Sequence, residues 1–354
     1  MSKKPGNRVR VLIVDDSALV RKILSAGLGR DPGIEVIGAA GDPYRARDLL
    51  VELRPDVITL DVEMPRMDGV TFLKRLMASM PTPTVMISSL TENGARISME
   101  ALEAGAVDVV TKPAMGLADG LPEMVADICR RVKATASVDV SRYALKGRPS
   151  VDSVTTLDVT TDRLIAIGAS TGGVQALSQI MPAFPANSPA VVIVQHMPAG
   201  VTQSFAERLN GLCSMRVKEA VHGERLLPGL ALVAPGGNLH MRVVRSGGEY
   251  RVAMIEGPPV NYSRPAVDVL FDSIASAAGR NVAAALLTGM GKDGAAGLAQ
   301  IRAAGGFTVA QDEQSSIVFG MPKAAIDLGA AEQIATLQKM PELLVRGAMQ
   351  TARR

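Results

Sequence analysis

Short apolar segments alternate with amphipathic helical patterns in two separate parts of the chain. In the first part, residues 9–132, the apolar segments are VRVLIVDD, DVITLDV, PTVMISS and DVVTKP. In the second part, residues 161–348, they are LIAIGAS, AVVIVQHMP, GLALVAP and NVAAALLTGM. Strands that alternate with helices form parallel sheets covered by helices. The pattern therefore predicts two α/β domains, each with a doubly wound and mostly parallel sheet.

The stretch between these two parts, residues 133–160, has no sustained period and is rich in Ser, Thr, Asp and Lys. This composition predicts a linker. A length of 354 residues also suits two domains better than one. Inside the second part, the segment HMRVVRSGGEYRVAMIEG places SGGE between two strand-like runs, which predicts a β-hairpin.

Composition narrows the class of protein. Hydrophobic residues make up 47% of the chain and charged residues 21%, which excludes a disordered chain. The 38 basic and 35 acidic residues nearly balance, so charge indicates no nucleic-acid partner, and the absence of a run of 18 apolar residues indicates no membrane insertion. Cys129 and Cys213 lack metal-site spacing. Together these features predict a globular protein of the reducing cytoplasm.

Chemically active side chains end successive strands of the first part. Asp15 and Asp16 end the first strand, Asp61 the third, Ser88 the fourth and Lys112 the fifth. Ligands of parallel α/β sheets bind at this edge. Three converging carboxylates repel one another unless a cation lies among them, and oxygen ligands suit magnesium. We therefore predict a magnesium site beside a lysine and a hydroxyl.

The first strand of the second part leads into a glycine-rich turn that contains Ser170. Residues 168–172 read GASTG, formally G-x-S-x-G, between a strand and a helical pattern. Such a turn either cradles a phosphate or exposes a nucleophile beside backbone N–H groups that stabilise an oxyanion. The segment lacks both the G-x-G-x-x-G spacing and a Walker Gly-Lys-Ser/Thr. The motif alone leaves both functions open.

A nucleophilic serine needs a base and an orienting acid at the same sheet edge. His196 ends the strand AVVIVQH, and Asp293 lies in the turn after NVAAALLTGM. Taken singly, His196 fits a structural histidine and Asp293 fits a helix cap. Their coincidence with Ser170 favours a Ser-His-Asp triad. The order Ser, His, Asp differs from the Ser, Asp, His order of α/β-hydrolases, which disfavours a lipase-like fold.

The motifs VDDS, LDVEMPRMDG, SS and TKP resemble those of response-regulator receiver domains. The resemblance implies a flavodoxin-like fold over residues 9–132. It implies that Asp61 is the phosphoacceptor and that Asp15 and Asp16 bind Mg²⁺ with it. It further implies that Ser88 is the switch hydroxyl and that Lys112 contacts the acyl phosphate.

The motifs IGASTGG, VQHMP, APGG, SRPAVDVLF, LLTGMGKDGAAGL and QDEQSSIVFGMP resemble the catalytic domain of chemotaxis protein-glutamate methylesterases. The resemblance implies Ser170 as nucleophile, His196 as general base and later acid, and Asp293 as the residue that fixes the imidazole tautomer. Thr171 and backbone amides near Met290 would line the pocket. No cofactor is implied for the ester chemistry.

The same resemblance implies the partners and the control. The substrates would be methylated glutamates and glutamines of chemoreceptors, and a chemotaxis histidine kinase would donate the phosphoryl group. We expect the unphosphorylated receiver to cover the esterase cleft until Asp61 is phosphorylated, so that a fragment beginning near Asp152 is more active than the resting chain. The rival interpretations are a DNA-binding output domain and a hydrolase that serves a different chemosensory array.

Overall fold

The structure is a computed structural model that describes residues 8–89, 91–112, 121–140 and 162–350. The chain divides into two compact units, residues 1–146 and 147–354. Most of the predicted linker, 133–160, lies outside the described residues. Its first residues belong to a helix that ends at Thr135. Within the described part of the chain, no helix combines the length and the apolarity needed to span a bilayer.

Five strands form the sheet of the first unit: β1 Val9–Val14, β2 Ile34–Ala40, β3 Val57–Asp61, β4 Thr84–Ser88 and β5 Asp108–Thr111. All pairs are parallel, in the order β2-β1-β3-β4-β5. The helices are α1 Ala18–Leu28, α2 Pro43–Leu53, α3 Gly69–Ser79, α4 Glu92–Glu103 and α5 Leu121–Thr135. The flavodoxin-like prediction is confirmed.

Polar side chains fix the starts of the first four helices. Ser17, Asp42, Asp68 and Thr91 each accept a hydrogen bond from a backbone N–H in the first turn. These bonds satisfy donors that have no partner within the helix. Each helix therefore starts directly after the loop at the carboxyl end of a strand, where the polar residues of the first unit gather.

Seven strands form the sheet of the second unit: β6 Leu164–Ala169, β7 Ala190–Gln195, β8 Arg216–Glu219, β9 Leu230–Val233, β12 Val282–Leu286, β13 Phe307–Gln311 and β14 Gln333–Ala335. All of these pairs are parallel, in the order β14-β13-β12-β6-β7-β9-β8. A separate hairpin, β10 Leu239–Ser246 and β11 Glu249–Glu256, turns at the predicted SGGE tip. The predicted parallel sheet and hairpin are both present.

Six helices surround this sheet: α6 Gly173–Ile180, α7 Val201–Leu212, α8 Val267–Ala278, α9 Ala295–Ala303, α10 Met321–Asp327 and α11 Met340–Gln350. Alternate residues of β6, β7 and β12 share one apolar core with α8, α9, α10 and the hairpin. The two-residue period arises because successive side chains of a strand point to opposite faces. Phe271 of α8 is fully buried in this core, and burial of such a side chain contributes about 1.5–3 kcal/mol.

Three strands of the second unit were not among the predicted apolar segments. Strand β8, RVKE, is a partly exposed edge strand, and β14 has only three residues at the opposite edge. Strand β13, FTVAQ, is buried but mixes polar with apolar residues. Strands that are short or polar contain no apolar run that a sequence pattern could reveal. Their hydrogen bonds to the neighbouring strand, and not their composition, make them strands.

Candidate active site and phosphorylation site

Ser170 lies in a tight turn between β6 and α6. Gly172, with φ of 79°, adopts the left-handed conformation that glycine allows, and α6 begins at the next residue. The backbone of Ser170 is held on both sides, because its N–H donates to Thr288 O at 3.0 Å and its carbonyl accepts from Gln195 Nε2 at 2.9 Å. The turn therefore fixes the position of the serine hydroxyl.

His196 follows β7, and β7 is the parallel neighbour of β6. The register pairs Ala169 with Gln195, so Ser170 and His196 are adjacent residues on neighbouring strand ends. His196 N also donates to Ala169 O at 3.2 Å. Asp293 follows β12, the strand on the other side of β6, and its Oδ2 lies 2.8 Å from His196 Nε2. The structure brings the three predicted residues to one edge of the sheet.

Asp293 is a buried carboxylate with four hydrogen-bond donors around it. Oδ2 faces His196 Nε2 and accepts from Val267 N at 2.7 Å, while Oδ1 accepts from Asp268 N at 3.1 Å and from Asn261 Nδ2 at 3.2 Å. Burial raises the pKa of Asp293, but the hydrogen bond and charge of His196 and the backbone donors outweigh burial and lower the pKa overall. The ionised carboxylate only accepts hydrogen bonds, so Nε2 of His196 carries a proton.

The other ring nitrogen, Nδ1, is consequently the basic atom of neutral His196. Its hydrogen-bond partner is Ser263 Oγ at 3.2 Å. Among the described residues, no hydrogen bond joins Ser170 Oγ to His196. Nucleophile and base are often separated in a substrate-free site and approach in the complex. The structure thus contains a formed His-Asp pair with the serine beside it.

Thr171 directly follows the serine, and Gly289, the residue before Met290, approaches it closely. Thr171 is buried, and its carbonyl accepts from Thr288 Oγ1 at 3.0 Å. Gly289 approaches so closely that a Cβ there would lie 2.8 Å from Ser170 Cβ. The N–H groups of Ser170 and Gly289 are engaged by Thr288 O and Val318 O. Within the described part of the chain, the Met290 N–H donates no hydrogen bond to a protein acceptor.

Sequence reasoning missed three polar contributors to this site. Asn261 and Ser263 contact Asp293 and His196, and Gln195 holds the carbonyl of Ser170. Gln195 had a detectable signal, since an amide that ends a buried apolar strand requires a partner. Asn261 and Ser263 lie in an irregular loop with no period, and the signal for Ser263 in the sequence was its place as the first residue of the motif SRPAVDVLF.

The acidic residues of the first unit also converge. Ligand atoms of Asp15, Asp16 and Asp61 all lie within 4.8 Å of one another. Lys112 Nζ is 2.6 Å from Asp61 Oδ2 and 3.6 Å from Asp15 Oδ2. Burial, partly offset by Lys112, raises the pKa of Asp61 to about 6 and also raises the pKa of Asp15. The cluster therefore carries unfavourable negative charge at neutral pH.

This charge and a buried oxygen without a hydrogen bond indicate that the cluster suits a cation. Asp15 Oδ2 is buried and makes no hydrogen bond, although buried polar atoms are nearly always satisfied. Two buried carboxylates and one exposed carboxylate form an all-oxygen donor set, which is the set that Mg²⁺ prefers. The residues present thus fit the predicted magnesium site.

Ser88, the predicted switch hydroxyl, points toward α4. Its Oγ lies 3.2 Å from Gly94 O and accepts from Ser98 Oγ at 2.9 Å. Ser98 is fully buried, and its Oγ also lies 2.6 Å from Gly94 O. Among the described residues, no hydrogen bond joins Ser88 to Asp61, although Ser88 directly follows Ile87, the register partner of Asp61 on the neighbouring strand.

Asp61→Asn is expected to stabilise the protein at pH 8 in EDTA. A folded-state pKa of about 6 exceeds the ordinary value of 3.8, so ionisation of Asp61 costs stability as pH rises through that interval. Removing the charge should raise the free energy of unfolding by about 3 kcal/mol at pH 8 and much less at pH 4. Urea unfolding of both proteins at both pH values measures this. Asp16→Asn, at an exposed carboxylate, is the control, and an Asp61→Asn protein that is less stable at pH 8 contradicts the prediction.

Each of the two units matches a known protein family. Residues 11–119 match the family described as response regulator receiver domain, and residues 165–344 match the family described as CheB methylesterase. The catalytic domain of the Thermotoga maritima CheB methylesterase superposes with a TM-score of 0.51 at 39% identity, covering 52% of this chain and 97% of that one. The chain is thus a response regulator whose output unit has the methylesterase fold.

Full-length relatives specify the family. A protein-glutamate methylesterase/protein-glutamine glutaminase of Syntrophotalea carbinolica is 53% identical, over 96% of this chain and 97% of that protein. A protein with that name from the group 2 operon of Cereibacter sphaeroides is 55% identical, over 96% of this chain and 92% of that protein. The chain belongs to the protein-glutamate methylesterase/protein-glutamine glutaminase family.

Proposed function

We propose that this protein hydrolyses glutamate methyl esters on chemoreceptors, releasing methanol, and deamidates glutamines on the same substrates, under control of phosphorylation at Asp61. The observation that carries this proposal is the His196–Asp293 pair, with its Nε2–Oδ2 distance of 2.8 Å, beside Ser170. Family membership supplies the substrate class, because relatives that share half of the sequence are named for these two activities.

Acylation begins when Ser170 Oγ bonds to the ester carbonyl carbon and its proton passes to Nδ1 of His196. Asp293 stabilises the resulting imidazolium through Nε2. The tetrahedral oxyanion then collapses, the bond from carbon to methoxy oxygen breaks, and Nδ1–H protonates that oxygen so that methanol leaves. General acid–base catalysis of this kind contributes roughly 10²–10⁴ in rate.

Deacylation repeats these steps with water. His196 Nδ1 takes a proton from the water as the water oxygen bonds to the acyl carbon, and the bond to Ser170 Oγ breaks with return of that proton to the serine. The product is glutamate. A glutamine side chain follows the same route and releases ammonia in place of methanol, because both substrates pass through one tetrahedral oxyanion.

The oxyanion is stabilised by backbone donors at the serine turn. We assign the Met290 N–H to this role, since the amides of Ser170 and Gly289 are already engaged by carbonyls. Removing one such donor typically costs about 10²–10³ in kcat. Thr171, buried beside the serine, shapes the wall of the pocket.

The first unit would receive a phosphoryl group from a chemotaxis histidine kinase. Asp61 is the acceptor in this proposal, and Asp15 and Asp16 hold Mg²⁺ together with it. The bound cation neutralises charge on the carboxylates and on the phosphoryl oxygens. Lys112 adds a second positive charge, and the new phosphoryl oxygens offer acceptors to the Ser88 hydroxyl, which would leave its partners on α4.

The experiment that tests reaction, substrate and control together uses methyl-labelled receptor membranes. Methanol release is measured with and without acetyl phosphate and Mg²⁺. We expect activation of roughly 5- to 150-fold, which corresponds to a coupling of about 1–3 kcal/mol. Asp61→Asn should keep basal activity and lose the activation. No methanol release by the wild type contradicts the esterase function, whereas activation that persists in Asp61→Asn contradicts the assigned acceptor.

A further inference from the structure

Ser263 is the hydrogen-bond partner of the reactive nitrogen of His196. Its Oγ lies 3.2 Å from Nδ1, on the side of the ring opposite the Asp293 bond. His196 therefore lies beside two serines: Ser170, the adjacent residue at the end of the neighbouring strand, and Ser263, whose hydroxyl contacts Nδ1 from the loop before α8. The mechanism above uses only Ser170, which leaves the contact of Ser263 without a role.

The turn that carries Ser263 is closed by two backbone hydrogen bonds. Val260 N donates to Ser263 O at 3.1 Å, and Ser263 N donates to Val260 O at 2.9 Å. The two residues at its tip, Asn261 and Tyr262, have φ values of 50° and 65°. Residues other than glycine rarely adopt this conformation, and such strain persists only where the surroundings impose it.

The surroundings of this turn supply that constraint. Asn261 Nδ2 donates to Asp268 at 2.8 Å and to Asp293 at 3.2 Å, which ties the turn to the carboxylate of the site. Arg264 donates to the carbonyls of Gly237 and Gly257 at 3.1 Å and 2.8 Å. Because both flanks are fixed, the position of the Ser263 hydroxyl relative to His196 is fixed as well.

His240 anchors the same loop from the hairpin. Its Nδ1 accepts from Ala266 N at 3.2 Å, so its Nε2 carries the proton and donates to Pro258 O at 3.0 Å. The ring is buried and joins both ends of the loop. Hydrogen bonds thus hold the segment from Pro258 to Ala266 at both ends, and Ser263 is the residue of this segment that contacts the His196 imidazole.

We propose that Ser263 is a positioning residue for His196. In the substrate-free site with a neutral ring, the Ser263 hydroxyl donates to the single lone pair of Nδ1, and it must rotate off that lone pair before Ser170 can transfer its proton there. When Nδ1 has taken the proton of Ser170, the same oxygen can accept from Nδ1–H, because a hydroxyl both donates and accepts. The bond to the imidazolium is the stronger one, since charge-assisted hydrogen bonds are about twice as strong as neutral ones. Ser263 therefore favours the protonated ring of the transition state.

Ser263 also restricts rotation of the imidazole. A ring flip would place carbon atoms where Nε2 and Nδ1 now face Asp293 and Ser263. Two contacts at opposite ends of the ring therefore select one orientation, whereas the Asp293 contact alone would leave the tilt toward the cleft less defined. This inference rests on the proposed function, in which Nδ1 is the atom that takes the serine proton.

The kinetic test compares full-length wild type, Ser263→Ala and Ser263→Thr in methanol release from methyl-labelled receptor membranes. Loss of one net hydrogen bond should lower kcat about three- to tenfold in Ser263→Ala, with KM changed less than twofold. Ser263→Thr retains the hydroxyl and should recover kcat to within about twofold of wild type. An unchanged kcat in Ser263→Ala overturns the proposal, and so does a loss of more than about 10³, which would make Ser263 the nucleophile.

A spectroscopic test is independent of catalysis. The chain has only three histidines, so ¹⁵N-histidine labelling yields a spectrum that His222 and His240 variants can assign. At a pH where the ring is neutral, Nδ1 of His196 should shift toward the position of an unbonded ring nitrogen in Ser263→Ala and return in Ser263→Thr. If the Nδ1 resonance of His196 does not move in Ser263→Ala, the proposed hydrogen bond between Ser263 and Nδ1 is contradicted. If the wild type releases no methanol while this shift occurs, the proposed function fails and the contact stands.

Discussion

Ser170→Ala is expected to reduce methanol release from methylated receptor by at least about 10³-fold, because no acyl-enzyme can form without the hydroxyl. The fold should be retained, since Ser170 is held through its backbone N–H and carbonyl rather than through its side chain. Steady-state methanol release and a thermal unfolding curve, recorded on the same preparation, measure both parts of this expectation.

The matched control for this change is Ser276→Ala. Ser276 lies on the exposed side of α8 and bonds to Asp272 O, so its loss should leave kcat within about twofold of wild type. A serine-directed phosphonate offers a second readout, since it should label wild type at residue 170 only. Near-normal turnover by Ser170→Ala would remove the nucleophile assignment.

Asp293→Asn should lower kcat by about 10⁴-fold with a small change in KM, as expected when an imidazolium loses its carboxylate partner. The change should also cost stability. Both oxygens of Asp293 accept from donors, so an asparagine amide group on either side must face an N–H. A donor left unsatisfied in a buried site costs about 1–3 kcal/mol.

Asp268→Asn is the control for Asp293→Asn, because it removes a neighbouring carboxylate and leaves Asp293 in place. Asp268 contacts Asn261 at 2.8 Å and Gly297 N at 2.7 Å, and no described contact joins it to His196. Its substitution should reduce kcat less than about tenfold. Equal losses in Asp268→Asn and Asp293→Asn, measured by methanol release at equal folded concentration, would contradict the assignment of Asp293 to the triad.

The sites could be located from sequence because parallel sheets collect strand ends at one edge. Asp15 follows β1 and Asp61 ends the neighbouring strand β3, and Ser170 and His196 follow the neighbouring strands β6 and β7. Each of these strands is a buried apolar run, so its last residue was visible in the sequence. The polar residues that end such runs were therefore predicted together.

Contacts that depend on loop conformation were not accessible in this way. The orientation of the His196 ring, with Nε2 on Asp293 and Nδ1 on Ser263, depends on a turn whose strained residues Asn261 and Tyr262 carry no periodic signal. The direction of Ser88 toward Gly94 depends likewise on the start of α4. Sequence patterns report which elements exist, whereas these contacts depend on backbone angles between the elements.

The bonds from Asp293 to Val267 N and Asp268 N have a further consequence. Helix α8 has no side-chain cap of its own at Ala266, so the carboxylate that orients the histidine also closes the helix from a distant part of the chain. Amide hydrogen exchange at positions 267 and 268 should consequently be slow in the wild type, and at least one of the two should become fast in Asp293→Asn, which keeps a single acceptor oxygen. Catalysis and the start of α8 therefore both depend on the Asp293 carboxylate. The amide signals of residues 267 and 268 can report whether its hydrogen bonds are formed, without any substrate.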